Sequence, residues 1–243
     1  MRERLVTFIS GSGTTMEQIL KACKSGEIPL DVACVISSTP TAGGIEKAKK
    51  LEIPDKDIIV IDPDEFRGAD KKVDQEGFGN EILKNLRERG VTIVTQNGWM
   101  PLTPQHVIAE YSDTIFNQHP GPVPEFGGRG MHGKRVHAAR LLFVRETRRD
   151  FWTEAVAQRV HKDFDMGAVV KSERVDILSE DTVDGLQARV LPIEHKVQIA
   201  LLQDVARGNV RKVAGRATLI KPGEEAILFQ AKKAARLLYP QQG

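Results

Sequence analysis

The sequence predicts an α/β fold: a doubly wound, mostly parallel β-sheet with helices on both faces and an antiparallel pair of strands at one edge. Two observations support this fold class. Short apolar runs alternate with segments of helical length through the first half of the chain, which is typical of parallel βαβ units. Later in the chain, two apolar runs are separated by only a short turn, which favours antiparallel pairing.

The first half of the chain contains five apolar runs of strand length with helical segments between them. In the first helical segment, Met16, Ile19 and Leu20 recur at helical spacing. The predicted strands are residues 5–10, 31–37, 58–61, 91–95 and a fifth that begins at 114–116. The predicted helices are residues 15–24, 44–51 and 72–89.

The regular alternation stops after residue 119. Prolines and paired glycines fill residues 120–135 and predict a loop. Pro192 lies inside a long helical pattern and should kink or restart that helix. The remaining elements predicted up to residue 207 are a helix at 136–144, strands at 154–160 and 168–175, and a long helix at 184–207.

The last part of the chain is basic, and its pattern predicts a weak strand followed by a helix at 224–238. Neither an internal repeat nor a low-complexity tract is evident. We therefore predict a domain of residues 1–208 and a C-terminal extension, residues 209–243, that packs on or beside it.

The composition argues against several classes of protein. A net charge of +2 is small beside 35 basic and 33 acidic side chains, so it gives no general affinity for nucleic acid or membranes. No apolar run approaches the roughly 20 residues that cross a membrane. Cys23 and Cys34 cannot form a disulfide framework, and no Cys/His cluster has the spacing of a metal site. Because no signal-peptide core is visible either, we expect a cytoplasmic protein without a metal.

A glycine-rich turn, Ser-Gly-Ser-Gly-Thr-Thr at residues 10–15, joins the first predicted strand to the first helix. Backbone amides at the start of a helix favour an anion. The turn lacks the ending of a Walker A loop, and Met16 stands where a dinucleotide-binding turn has its third glycine. Two interpretations stay open: a phosphate site, or a tight turn in which Thr14 or Thr15 caps the helix.

Three polar side chains near predicted strand ends form a candidate catalytic set. Asn117 and His119 follow the fifth strand, in the region where open α/β sheets bind ligands. Asp165 lies in the turn between the two late strands. An amide, an imidazole and a carboxylate can polarise a carbonyl group and move a proton. Each also has a plainer interpretation, since a lone histidine is more often a core or capping residue and an aspartate suits a hairpin turn.

The Asn-x-His-Pro element at 117–120, the Asp-x-Gly element at 165–167 and the glycine turn together resemble the folate-dependent formyltransferases. The resemblance extends from about residue 5 to residue 208. It implies a Rossmann-like fold and 10-formyltetrahydrofolate as co-substrate, with no metal. The match is nearest to the branch of the family that formylates the amine of glycinamide ribonucleotide in purine biosynthesis.

The resemblance also implies roles for individual residues. Asn117 and a protonated His119 would stabilise the oxyanion formed when the amine attacks the formyl carbon, and Asp165 would steer a water and support the charged imidazole. Glu194 would contact the ribose hydroxyls of the substrate. The glycine turn would hold the substrate phosphate through Gly13, Thr14 and Thr15. Backbone groups of residues 97–103 would hold the pterin ring. The residues predicted to bind folate are therefore Trp99, Met100, Pro101, Leu102 and Thr103.

Departures from the family pattern leave the acceptor open. Pro101 stands where an arginine is common, residues 121–124 read Gly-Pro-Val-Pro where Ser-Leu-Leu-Pro is usual, and the loop at 125–135 is long and glycine-rich. Alternatives are a sugar amine or methionyl-tRNA as acceptor, a formyltetrahydrofolate hydrolase, and a non-catalytic phosphate-binding module. We expect a small ribotide amine and folate as partners, no nucleic acid and no membrane; a homodimer is compatible with the sequence.

Overall fold

The computed structural model describes residues 2–214, 216 and 218–240. The strands found in this part of the chain are β1 (Arg4–Ile9), β2 (Asp31–Ser37), β3 (Ile58–Val60), β4 (Ile93–Gln96), β5 (Ile115–His119), β6 (Trp152–Arg159) and β7 (Val169–Asp176). The α-helices are α1 (Thr14–Ser25), α2 (Gly43–Lys50), α3 (Gln75–Glu88), α4 (Gln105–Glu110), α5 (Lys134–Thr147), α6 (Val183–Ala206) and α7 (Glu225–Leu238).

The strands form one sheet in the order β3-β2-β1-β4-β5-β6-β7. β1 pairs in parallel with both β2 and β4, and β4 pairs in parallel with β5. The strand order therefore reverses between β1 and β4, which is the topology of a doubly wound sheet. β6 and β7 are antiparallel. The predicted fold class is confirmed.

β1 and β4 are buried along almost their whole length because helices cover both faces of a parallel sheet. This burial explains why their sequences read as continuous apolar runs. On one face, α1 and α2 pack on the sheet through a cluster of apolar side chains: Ile9, Met16, Leu20, Val35, Ala42 and Ala48.

The structure differs from the sequence prediction at four places. Asn117 and His119 lie within the last residues of β5, whereas the prediction placed them beyond the strand. The short helix α4 was not predicted, since its six residues are too few to show an amphipathic pattern. α6 continues through Pro192 without a restart; buried Val190 and Val197 on either side hold it in place. Among the described residues between 209 and 224, no strand is found.

The chain divides into two compact units. Of the described residues, the first unit contains those up to Asn117 together with Leu202–Asn209, and the second contains Gln118–Leu201 and those from Val210 to Pro240. The predicted division into residues 1–208 and 209–243 stays a prediction. No helix of the described residues is both long enough and apolar enough to span a membrane.

In the second unit, α7 packs against α5. Ala231 and Ala235 of α7 belong to the same buried cluster as Phe126 and Phe143, whose rings meet edge to face at 5.6 Å. Next to this cluster Arg140 is completely buried, and its guanidinium donates to the carbonyl oxygens of residues 150 and 152. Burial lowers the pKa of Arg140 to about 10, so the side chain keeps its charge at neutral pH.

The first unit depends on a close approach between the glycine turn and α2. Gly44 N–H donates to the Gly11 carbonyl oxygen at 3.0 Å. A Cβ atom on Gly44 would lie 2.5 Å from Ile9 Cδ1 and 3.1 Å from Gly13 Cα. A Cβ atom on Gly43, in contrast, would lie 3.8 Å from its nearest neighbour, Ser12 Cα.

We therefore expect Gly44→Ala to lower the free energy of unfolding by about 1–3 kcal/mol, because an added methyl group overpacks this contact. Gly43→Ala is the matched control, and it should be neutral or slightly stabilising because alanine favours a helix. Urea unfolding of the two variants measures the difference. Equal stability of the two would contradict the role of this close approach.

Candidate active site

Asn117 and His119 lie two residues apart on β5, so their side chains project from the same face of the strand. His119 is buried, with 3% of its surface exposed. Its Nδ1 atom lies 3.5 Å from Asp165 Oδ1. Its Nε2 atom is also buried and has no hydrogen-bond partner among the described residues. Buried polar atoms in proteins are normally paired, so Nε2 is the atom of this ring that a ligand can satisfy.

The carboxylate of Asp165 is held from several sides. Oδ2 accepts a hydrogen bond from the Gly128 amide at 2.9 Å, and Oδ1 accepts one from Gln158 Nε2 at 2.8 Å. Only 8% of the side chain is exposed. The backbone of Asp165 has φ +58°, a left-handed conformation that few residues other than glycine adopt. Such a conformation persists only where surrounding contacts impose it, and it is frequent at functional sites.

Two glycines make room for this arrangement. A Cβ atom on Gly127 would lie 2.4 Å from Asp165 Cβ. A Cβ atom on Gly167 would lie 1.7 Å from the carbonyl oxygen of Arg159. The glycine of the Asp-x-Gly element is therefore required by packing between the ends of β6 and β7, while the aspartate supplies the chemical group.

His132 and His137 lie close enough to His119 for their charges to interact. Burial, and to a smaller extent the charge of His119, lower the pKa of His137 to about 4. The pKa of His132 is lowered first by burial and then by Arg135. Both rings are therefore neutral at neutral pH and add no positive charge beside His119.

Glu194 on α6 is buried, and its carboxylate accepts a hydrogen bond from the Gln118 side chain. Burial raises the pKa of Glu194 to about 7, against the hydrogen bond from Gln118, which lowers it. Gln118 projects from the face of β5 opposite to Asn117 and His119. The predicted contact of Glu194 with ribose hydroxyls stays a prediction.

The glycine turn begins α1 with Gly13 as the N-cap residue, at φ +63° and without a side-chain capping bond. The interpretation in which Thr14 or Thr15 caps the helix is therefore wrong. A Cβ atom on Gly13 would lie 2.7 Å from Gly44 Cα, so packing already requires a glycine here. The first turn of α1 is left without a side-chain cap, and such a helix start favours an anion. Phosphate binding by this turn stays a prediction.

The segment predicted to hold folate, residues 97–103, is anchored through its side chains. Trp99 stacks on Phe78 with an angle of 2° between the rings, and Thr103 accepts a hydrogen bond from Gln96 at 2.7 Å. Both Trp99 and Thr103 are buried, whereas Met100 and Leu102 are partly exposed and Pro101 is half-buried. Binding of a pterin ring by this segment stays a prediction.

This segment is also tied to the glycine turn within the first unit. Ser10 N–H donates to the Gly98 carbonyl oxygen at 3.0 Å, and Ser10 Oγ accepts from the Met100 amide at 2.9 Å. Ser10 therefore fixes the backbone of the segment on which the folate prediction depends.

Three side chains that position candidate groups were not predicted from the sequence: Ser10, Gln118 and Gln158. Each is a polar residue inside or at the end of an apolar strand, where an unpaired polar group is costly to bury. That pattern is a usable signal, although it identifies no partner. In the described residues, no group of three or more His, Cys, Asp or Glu side chains is placed to hold a metal ion.

Comparison with known proteins gives consistent matches. A protein-family model described as formyl transferase matches residues 3–202, which include all the candidate site residues. The chain is 27% identical over 211 residues to the chloroplastic phosphoribosylglycinamide formyltransferase of Arabidopsis thaliana, covering 86% of this chain and 68% of that protein. It is 24% identical over 209 residues to the phosphoribosylglycinamide formyltransferase of Haemophilus influenzae, covering 86% and 90%. Among solved structures, glycinamide ribonucleotide transformylase 1 from Symbiobacterium toebii matches with a TM-score of 0.73 and 27% identity, covering 90% of this chain and 95% of that one.

The raised pKa of Glu194 predicts how stability depends on pH. Between the ordinary value of 4.5 and about 7, the folded protein keeps a proton that the unfolded chain releases. The contribution of this proton to the free energy of unfolding is therefore fully present below the ordinary pKa and is lost as the pH rises through about 7. Glu194→Gln removes this titration. The free energy of unfolding of the variant minus that of the unsubstituted protein should therefore increase by up to about 3 kcal/mol as the pH rises from 4.5 to about 7.

Urea unfolding at about pH 5 and about pH 8 measures this change. Glu65→Gln, at an exposed glutamate, is the control and should show no such dependence. A stability difference for Glu194→Gln that is the same at both pH values would mean that the carboxyl titrates normally.

Proposed function

Because the chain belongs to the formyl transferase family, we propose that it transfers the formyl group of 10-formyltetrahydrofolate to the amine of glycinamide ribonucleotide, a step of de novo purine biosynthesis. The relatives named above support this acceptor. The single observation that carries the chemistry is the buried pair of His119 and Asp165, in which the imidazole Nε2 is left without a partner among the described residues.

In the proposed reaction, the amine nitrogen forms a bond to the formyl carbon and the carbonyl π electrons move onto the formyl oxygen. The resulting tetrahedral intermediate expels N10 of the folate, which takes up the proton that the attacking amine loses. No covalent bond to the protein is needed. The main task of the protein is therefore to stabilise the negative charge that develops on the formyl oxygen.

His119 and Asn117 are the proposed donors to that oxygen. The Nε2–H group of His119 and the side-chain amide of Asn117 each donate a hydrogen bond, and removing one such donor typically lowers the rate about 10²–10³-fold. Asp165 Oδ1, 3.5 Å from Nδ1, stabilises the positively charged ring by attraction. Because Gly128 and Gln158 already fix the carboxylate, little reorganisation is needed when the charge develops.

The remaining candidate residues bind the reactants in this proposal. Gly13, Thr14 and Thr15 hold the ribotide phosphate at the uncapped start of α1. Glu194 contacts the ribose hydroxyls. Folate lies against the backbone of the segment containing Trp99, Met100, Pro101, Leu102 and Thr103.

The proposal is tested by incubating the purified protein with 10-formyltetrahydrofolate, with and without glycinamide ribonucleotide. Mass spectrometry should detect formylglycinamide ribonucleotide and an equal amount of tetrahydrofolate, formed only when the acceptor is present. Release of formate without the acceptor would indicate a hydrolase instead. Turnover with a sugar amine but not with the ribotide would refute the proposed acceptor.

We expect Asp165→Asn to lower kcat at least about 10²-fold, because the neutral amide no longer stabilises the charged imidazole. Asparagine tolerates the left-handed backbone at this position, so the variant should fold. The dissociation constant for folate, measured by calorimetry, should stay within a few-fold.

Asp163→Asn is the matched control, since Asp163 is an exposed residue of the same turn. It should turn over like the unsubstituted protein. Turnover of Asp165→Asn within a few-fold of the control would show that Asp165 does not act in the reaction.

A further inference from the structure

The C-terminal helix contacts the glycine-rich loop that follows β5. Lys232 of α7 donates from Nζ to the carbonyl oxygen of Glu125 at 2.9 Å and to that of Gly127 at 2.6 Å. Lys232 lies outside the family match, which ends at residue 202. Burial lowers the pKa of the Lys232 ammonium, as does the neighbouring Arg236. The side chain is thus turned into the protein, whereas the next residue, Lys233, is exposed.

The loop that Lys232 holds is the same loop that contacts Asp165. Gly127, one of the two acceptors of Lys232, packs so closely on Asp165 that a Cβ atom would lie 2.4 Å from Asp165 Cβ. The next residue, Gly128, donates its amide to Asp165 Oδ2 at 2.9 Å. A short path therefore joins the ammonium group to the carboxylate through the backbone of two glycines.

The C-terminal residues fix this loop at further points. Glu125 Oε1 accepts a hydrogen bond from the Leu219 amide at 3.1 Å. At the other end of the loop, Arg135 donates to the carbonyl oxygens of Gly130, Tyr239 and Pro240 at 3.0, 2.7 and 2.7 Å. These contacts offset the conformational freedom of a loop rich in glycine, which loses more entropy on ordering than any other residue type.

We propose that Lys232 is a positioning residue: by binding the carbonyl oxygens of Glu125 and Gly127, it holds the loop in the conformation that directs the Gly128 amide at Asp165. The orientation of the Asp165 carboxylate towards His119 then depends on the C-terminal helix. This inference rests on the proposed function, in which Asp165 supports the imidazole during formyl transfer.

Lys232→Met tests the inference, because methionine keeps most of the apolar stem and removes both hydrogen bonds. We expect kcat to fall about 10–100-fold, since small misplacements of reacting groups have effects of this size. KM for folate and for the ribotide should stay within a few-fold. Lys233→Met, on the exposed side of the same helix, is the control and should leave kcat unchanged. Lys232→Arg, which can donate to both carbonyl oxygens, should restore most of the lost turnover.

A double-substitution cycle separates positioning from a general loss of stability. If Lys232 acts through Asp165, then Lys232→Met should lower kcat little further in the Asp165→Asn background. Independent, multiplicative losses in the double variant would overturn the inference. So would a kcat of Lys232→Met equal to that of Lys233→Met.

Hydrogen exchange provides a measurement that does not depend on turnover. Peptides covering residues 121–131 should exchange faster in Lys232→Met than in Lys233→Met, because the loop amides lose their support. If the exchange rates of these peptides were the same in the two variants, the inference would be overturned whatever their turnover. Conversely, absence of formyl transfer in the unsubstituted protein would refute the proposed function, and the exchange data would still decide whether Lys232 holds the loop.

Discussion

The arrangement around Asp165 depends on how closely the backbone can approach its carboxylate. The side chain receives a backbone amide from Gly128 and a side-chain amide from Gln158, and it faces the ring of His119. A Cβ atom on Gly127 would lie 2.4 Å from Asp165 Cβ and 3.0 Å from Oδ2, so Asp165 could not keep this position if Gly127 carried a side chain. The electrostatic arrangement therefore depends on a steric one: the absence of a Cβ atom at Gly127 permits the close packing, and this packing fixes the carboxylate of Asp165.

Burial determines what these polar groups can do. With water largely excluded, an attraction between a carboxylate and an imidazolium is stronger than at a surface, and an unpaired polar atom is correspondingly costly. The two side chains on opposite faces of the end of β5 show both outcomes. Gln118 is paired with Glu194, whose pKa rises because burial disfavours its charge. His119 keeps one ring nitrogen without a partner among the described residues, and this nitrogen is the one assigned to the reacting oxygen in the proposed function.

Features that repeat along the chain could be predicted from the sequence. Strands such as β1 are buried on both faces and so read as apolar runs, and the two-residue spacing of Asn117 and His119 places both on one face. Features without periodicity were either not predicted or predicted wrongly. The six residues of α4 show no pattern, and the start of α1 is shaped by packing of Gly13 on α2 rather than by a threonine cap. Two partners of Asp165, His119 and Gly128, come from segments distant in the sequence, so no local pattern could predict them.

The glycine-rich loop and the C-terminal extension form one structural feature in the second unit. In the sequence, the glycine-rich loop and the C-terminal extension are separate features about 100 residues apart. In the structure, the extension binds the loop through Lys232 and Leu219, and Arg135 binds the end of α7. Glycines allow the loop to approach Asp165 but cannot hold it there, since they contribute no side-chain contacts. Hydrogen bonds from the extension supply that missing constraint. The conformation of the glycine-rich loop therefore depends on the C-terminal helix, which is itself held by its packing on α5.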